Sequence, residues 1–126
     1  MFKLLLIFIG GGLGSLARFG LSYLIPYQSG KFPWATFCAN LWASFFLGIL
    51  LHFLSERQLA DSFRWLLIVG FCGGFSTFST FAGESWQMWR AGDWTLWSIY
   101  ALSSVIGGIV ILLAGIKLMS YFHVNG

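Results

Sequence analysis

Four stretches of about twenty or more mostly apolar residues occupy nearly the whole of this 126-residue chain. A helix needs about 20 apolar residues to cross a bilayer. The spacing therefore predicts membrane-crossing helices over about 4–25, 34–54, 63–89 and 94–121. Short polar joints separate them: Pro26, Gly30 and Pro33; then Ser55-Glu56-Arg57-Gln58; then Arg90-Ala91-Gly92-Asp93. Composition agrees, with 58% hydrophobic and only 9% charged residues, where soluble domains carry roughly 45–50% and 25%. A soluble protein this small would lack the polar residues to cover its surface. An ordinary soluble enzyme, a disordered chain and a nucleic-acid binder are excluded. The expected fold is an all-α integral membrane protein, one transmembrane domain over residues 1–126, with the lipid bilayer as its solvent.

The first apolar stretch follows Met1-Phe2-Lys3 and is too long for a signal peptide, with no convincing small-residue cleavage site before Arg18, so it reads as a retained helix. Trp34, Trp65, Trp86, Trp89, Trp94 and Trp97 fall near expected helix ends, as an interfacial aromatic belt does. Trp42 falls mid-helix, nearly opposite Asn40, and is assigned to packing or lipid. Four helices put both termini on the side of the second loop. That side carries Lys3, Arg57, Arg64 and Lys117, and the other carries Lys31 and Arg90, with Arg18 close by. Orientation follows the Lys/Arg bias, and a chain with so little bias can insert either way round, letting two copies meet antiparallel.

Residues 70–81 hold the densest chemistry. Gly73 and Gly74 are followed by Ser76, Thr77, Ser79 and Thr80 in the middle of the third segment, a poor continuous helix. At membrane depth the backbone leaves helical geometry only where protein or water satisfies it. A break there would free carbonyl oxygens, the ligands a hard cation such as Na⁺ takes; close-packed glycines in a kinked helix are the alternative. Phe75, Phe78 and Phe81 follow at threes, and positive phenyl edges can flank a small anion. Thr36, Asn40 and Ser44 form a polar stripe on the second segment, which also reads as interhelical glue. Tyr100, Ser104 and Gly108 form another on the fourth. Arg18 lies late in the first segment, where it can snorkel, draw anions to a vestibule or pair with a carbonyl end. Glu84, the one acid within a span, reads as a proton site, a polar lining group or an interfacial residue. Gly10 and Gly14 permit close helix contact. Asp61 and Asp93 read as helix caps. Cys38 and Cys72 read as packing residues, and no metal-ligand cluster or nucleophile–base set appears, so the chain is not expected to be an enzyme.

Gly73-Gly74-Phe75-Ser76-Thr77-Phe78-Ser79-Thr80-Phe81 resembles the G-G-x-[ST]-T-F-S-T-F signature of the Fluc (CrcB) fluoride channels. The run from Gly10 to Arg18, and Thr36 with Asn40, support the resemblance, which covers the whole chain. It implies a passive exporter of cytoplasmic fluoride in the cell's inner (plasma) membrane, relieving fluoride toxicity. It implies an antiparallel, dual-topology homodimer with two pathways and a third helix broken near its middle. A structural Na⁺ would sit at the dimer interface on the backbone carbonyls of Gly73 and Ser76. The fluoride pathway would use Asn40, Phe78, Phe81, Tyr100 and Ser104, with Ser79, Thr80 and Thr36 nearby. Arg18 matches the family's helix-one arginine. The chain departs from the pattern at Gly108, where many members carry a serine, and at Ser76, Ala43 and Trp42. Two other readings stand beside this one. A small four-helix proton-coupled cation exporter would need a membrane carboxylate, and Glu84 is the one available. A non-transporting assembly subunit would use its polar stripes only for packing.

Overall fold

The structure, a computed structural model, describes residues 1–126. It is all-helical. Helix α1 spans Phe2–Leu24, α2 spans Trp34–Ser55, α3 covers residues 61–75, α4 spans Phe78–Ala91 and α5 spans Trp94–Asn125. With α3 and α4 taken together, four helical segments are long and apolar enough to cross a membrane. The third segment is broken near its middle, as expected, by two extended residues. Ser76 sits at φ −71°, ψ 152° and Thr77 at φ −148°, ψ 118°.

Glycines set the layout. On α1, a Cβ at Gly10 would collide with the Leu66 carbonyl, and one at Gly14 with the Phe71 carbonyl. Opposite them, a Cβ at Gly70 or Gly74 would run into the backbone of Gly10 and Gly11. The Gly10/Gly14 pair expected to allow close contact thus meets a matching pair on α3. The second close seam joins α2 to α5, where Gly48 lies against the Leu112 carbonyl and Gly115 against that of Phe45. Small residues let helices approach where lipid offers no hydrophobic drive for association. Residues Arg64–Cys72 of α3 wind as a π-helix. The wider turn lies along the stretch that carries the α1 seam, and π geometry is common near functional sites.

Only 17 of 126 residues are buried. The exterior is a near-continuous apolar coat that includes Leu13, Leu16, Phe19, Val105, Ile106 and Ile109, which is what a lipid solvent permits. Aromatic rings gather at both ends. Trp89 packs edge-on against Trp94 and Trp97, at 4.1 and 5.3 Å between ring centroids. At the other end Lys3 and Arg64 each lie 5.3 Å from the Trp65 ring. Trp42 is exposed and stacks on Phe46, in keeping with a lipid-facing position.

The structure departs from expectation in three details. Asp61 is not a side-chain cap; it is the first helical residue, after Ala60. The fourth segment continues past 121 to Asn125, where the Asn125 amide donates back to the Tyr121 carbonyl (2.9 Å). A helix continues by its own backbone hydrogen bonds and needs no apolar stripe to do so. Phe75 and Phe78 do not share a helical face, because the break lies between them and Phe75 packs on Phe71 instead. Asp93 does cap α5, accepting from Leu96 N–H (3.2 Å), directly after Gly92 ends α4 in left-handed geometry at φ 74°.

Candidate functional site

The break in the third segment organises the centre of the bundle. An extended stretch loses its helical partners, and each buried backbone group must find another. Asn40 of α2 supplies both for Thr77. Its Nδ2 donates to the Thr77 carbonyl (3.2 Å), and Thr77 N–H donates to Asn40 Oδ1 (2.7 Å). The Thr77 hydroxyl caps α4, accepting from Thr80 N–H (3.2 Å) and donating to the Thr80 hydroxyl (3.1 Å). Ser79 Oγ lies 3.3 Å from the Thr77 hydroxyl. The Ser76 hydroxyl donates back to the Cys72 carbonyl (2.9 Å). Arg18 reaches from α1, its Nε 3.4 Å from the Gly74 carbonyl and its Nη1 3.4 Å from Thr80 Oγ1, so it stitches α3 to α4. Of its expected roles, pairing with a carbonyl end is the one this geometry describes.

A pocket of about 250 Å³ opens beside this knot, lined by Asn40, Ser44, Ser76, Thr77, Phe78, Phe81, Ser104 and Val105. Its chemistry is neutral. The Ser104 hydroxyl is buried without a protein partner. Asn40 Nδ2 has a second hydrogen beyond the one given to Thr77. The first turn of α4 starts here, and the amides of a helix's first turn have no intrahelical acceptor. Phe78 and Phe81 form the aromatic wall, 5.6 Å apart and inclined at 40°. Donors, a helix N-terminus and ring edges suit a small anion.

Three other expected residues lie elsewhere. Thr36, Glu84 and Tyr100 form a separate buried cluster. Thr36 donates to Glu84 Oε1 (2.7 Å) and Tyr100 to Glu84 Oε2 (2.6 Å). Glu84 is 8% exposed and Tyr100 fully buried. Thus Glu84 is a buried acceptor for two hydroxyls. The two sites meet at Phe81, whose ring centroid lies 4.9 Å from that of Tyr100. Half-buried Tyr27, in the loop after α1, senses the same carboxylate. Burial and the Glu84 charge raise its phenol above the ordinary value. Sequence reasoning named no role for Thr77 or Ser44 in the pocket. The signal for both was present, since Ser44 continues the Thr36–Asn40 stripe.

The break takes the helical donors away from the carbonyls expected to hold a cation. Thr77 N–H, the helical partner of the Gly73 carbonyl, goes to Asn40, and Thr80 N–H, that of the Ser76 carbonyl, goes to Thr77 Oγ1. Both carbonyls therefore lose their helical donors. Gly73 and Ser76 share a cleft of about 200 Å³ with Ser44, Leu47 and Cys72, and a Cβ on Gly73 would meet nothing within 4 Å. Freed carbonyl oxygens on an open face fit a hard monovalent cation.

Residues 5–116 match the family model described as CrcB-like protein, Camphor Resistance (CrcB). A curated relative from Phocaeicola vulgatus, named fluoride-specific ion channel FluC, is 40% identical over 118 residues, covering 92% of this chain and 97% of that protein. One of the same name from Leptospira interrogans is 41% identical over 122 residues, 95% of this chain and 96% of its own. Another from Chlorobaculum tepidum is 40% identical over 116 residues, 91% and 92%. With four span-capable helices, this is a multi-pass membrane protein. The match of the family model to most of the chain, and of these relatives across nearly their full length, places it in the CrcB family.

Proposed function

We propose that the chain is a fluoride-selective ion channel of the plasma membrane that lets cytoplasmic fluoride leave passively, down its electrochemical gradient, and so relieves fluoride toxicity. The observation that carries this is the pocket, where the unpartnered Ser104 hydroxyl, the spare hydrogen of Asn40 and the start of α4 converge opposite Phe78 and Phe81. The names of the relatives support the same reading.

Fluoride is small and strongly hydrated. A pore must replace its water with donors, yet bind weakly enough to release it. Hydroxyls, one amide and phenyl edges supply polarity without a charge that would trap the ion. Thr77 keeps Asn40 oriented, so the amide presents its second hydrogen from a fixed position. Ser104 and Ser44 continue the donor set along α5 and α2. Ser79 and Thr80, tied to Thr77, steady the first turn of α4.

The functional unit is an antiparallel homodimer, with both orientations of the chain in one membrane. The open cleft at Gly73 and Ser76 is the face that a second copy would cover. There the carbonyls of Gly73 and Ser76, with their counterparts, would hold a structural Na⁺. When bound, Na⁺ supplies fixed positive charge near the pathway and satisfies carbonyls that the break has freed.

The test is efflux from liposomes containing the purified protein, fluoride against chloride, for wild type and Phe81→Ile. Fluoride efflux without chloride efflux is expected, with loss in the variant. No fluoride efflux from folded protein in Na⁺ buffer overturns the channel reading. An active, unaffected Phe81→Ile variant removes Phe81 from the pathway.

A further inference from the structure

The far end of the α2–α5 seam carries a histidine pair outside the proposed pathway. His52 lies in the last turn of α2 and His123 in the last turn of α5. Their ring centroids are 5.8 Å apart, at 70° between planes. His52 is 7% exposed, although it stands at a helix end, and its Nε2 is buried with no partner. A buried polar atom without a partner is rare and calls for a reason.

The hydrogen bonds around Ser120 favour one tautomer of His52. Ser120 Oγ has one hydrogen, and the Ile116 carbonyl 3.1 Å away accepts it. Toward the His52 ring, 3.3 Å away, Ser120 Oγ is then the acceptor, so His52 Nδ1 carries the ring hydrogen. Nε2 is left with a bare lone pair. This is the arrangement of a metal-ligating histidine, whose other nitrogen donates to a neighbouring oxygen.

We infer that His52 and His123 form a binding site for a divalent transition-metal ion, with Ser120 as the residue that orients His52. With metal–nitrogen bonds of about 2.0–2.1 Å, two imidazoles sharing one ion place their centroids about 5–6.4 Å apart, which brackets the observed separation. Imidazole nitrogens favour Zn²⁺, Cu²⁺ or Ni²⁺ over Na⁺ or Mg²⁺. Two helix C-termini converge on the site, and their dipoles favour a cation. No group of three His, Cys, Asp or Glu side chains surrounds it, so the remaining coordination positions would go to water on the side of the exposed His123. The ion would clasp α2 to α5 one membrane end away from Asn40 and Ser104, and the site stands independently of the transport reading.

The test is equilibrium binding of Zn²⁺ to the full chain in detergent, with any affinity tag removed. Wild type is expected to take up one Zn²⁺ per chain. His123→Ala changes an exposed side chain near the end of α5 and is expected to weaken binding at least tenfold while preserving the fold. His52→Ala is expected to do the same, and Ser120→Ala to weaken it by about 10–100-fold through loss of the orienting bond. Zn²⁺ should raise the unfolding temperature of wild type and leave that of His123→Ala unchanged. Equal Zn²⁺ affinity in wild type and His123→Ala, or no uptake by wild type, overturns the site.

Discussion

Asn40 pairs with both backbone groups of Thr77, accepting from its N–H at 2.7 Å and donating to its carbonyl at 3.2 Å. One side chain thus replaces two helical hydrogen bonds at the point where the third span opens. The same residue lines the pocket, so its hold on the break and its proposed place in the pathway rest on one side chain. Asn40→Ala leaves both Thr77 groups unpaired, at about 1–3 kcal/mol for each buried group. A loss of about 2–6 kcal/mol in unfolding stability and loss of fluoride efflux are expected. Thermal unfolding in detergent, read beside liposome efflux, checks both. A variant as stable as wild type would mean that the break is held by something other than Asn40.

The glycine seams give a sharper structural prediction. At Gly48 a Cβ would strike the Leu112 carbonyl, and at Gly10 that of Leu66. Backbone cannot give way as a flexible side chain can. Gly48→Ala and Gly10→Ala should each destabilise the protein by about 1–3 kcal/mol or more. Gly20, also on α1, meets nothing within 4 Å. Gly20→Ala should be neutral or stabilise by up to about 1 kcal/mol through helix propensity. Comparing the three unfolding midpoints checks this directly, and equal midpoints would refute the seams.

Much of this was legible in the residues, and the remainder has physical causes. The four spans follow from apolar length alone. The break follows from Gly73-Gly74 ahead of four hydroxyl residues, because glycine entropy and local hydroxyl bonding both oppose a helix there. The partner of each polar group was less accessible. Thr36, Asn40 and Tyr100 all sit on stripes at helical spacing, yet Thr36 and Tyr100 turn to Glu84 while Asn40 turns to Thr77. That division depends on how α2 and α5 are rotated about their axes, which the Gly48–Gly115 seam sets in three dimensions. The π-helical winding of Arg64–Cys72 was not visible, since it lies where α3 meets α1 and no local motif marks it.

The Glu84 cluster can be measured by a double-mutant cycle. Tyr100→Phe removes the 2.6 Å bond to Oε2 and leaves one carboxylate oxygen buried without that donor. Leaving a buried acceptor unpaired costs about 1–3 kcal/mol, so Tyr100→Phe should lower stability by about that amount. In a Glu84→Gln background the same change should cost less, and a coupling of about 0.5–3 kcal/mol between the two sites is expected. No coupling would mean that the pair does not stabilise the fold. The Glu84→Gln variant also tests the proton-coupled alternative, which requires it to abolish transport driven by a pH gradient. The channel reading expects passive fluoride selectivity over chloride to survive.

Gly108 lacks the hydroxyl that many members of the resembled family carry at this place, and the structure shows what stands next to it. A Cβ built on Gly108 would lie 3.6 Å from Ser44 Oγ, in ordinary van der Waals contact. Ser44 itself lines the pocket with Asn40 and Ser104. The hydroxyl missing from α5 is therefore offered from α2 across the same gap. Ser44→Ala should lower fluoride efflux by about tenfold, the equivalent of about 1.4 kcal/mol and of one neutral hydrogen bond. Gly108→Ser in that background has room for its side chain and returns a hydroxyl to the same spot, so it should recover most of the lost efflux. Gly108→Ala fills the space without the donor and should not. Fluoride efflux from liposomes, with chloride as control, separates these outcomes. Equal efflux in Ser44→Ala and wild type would remove Ser44 from the pathway, and rescue by alanine would assign its effect to packing.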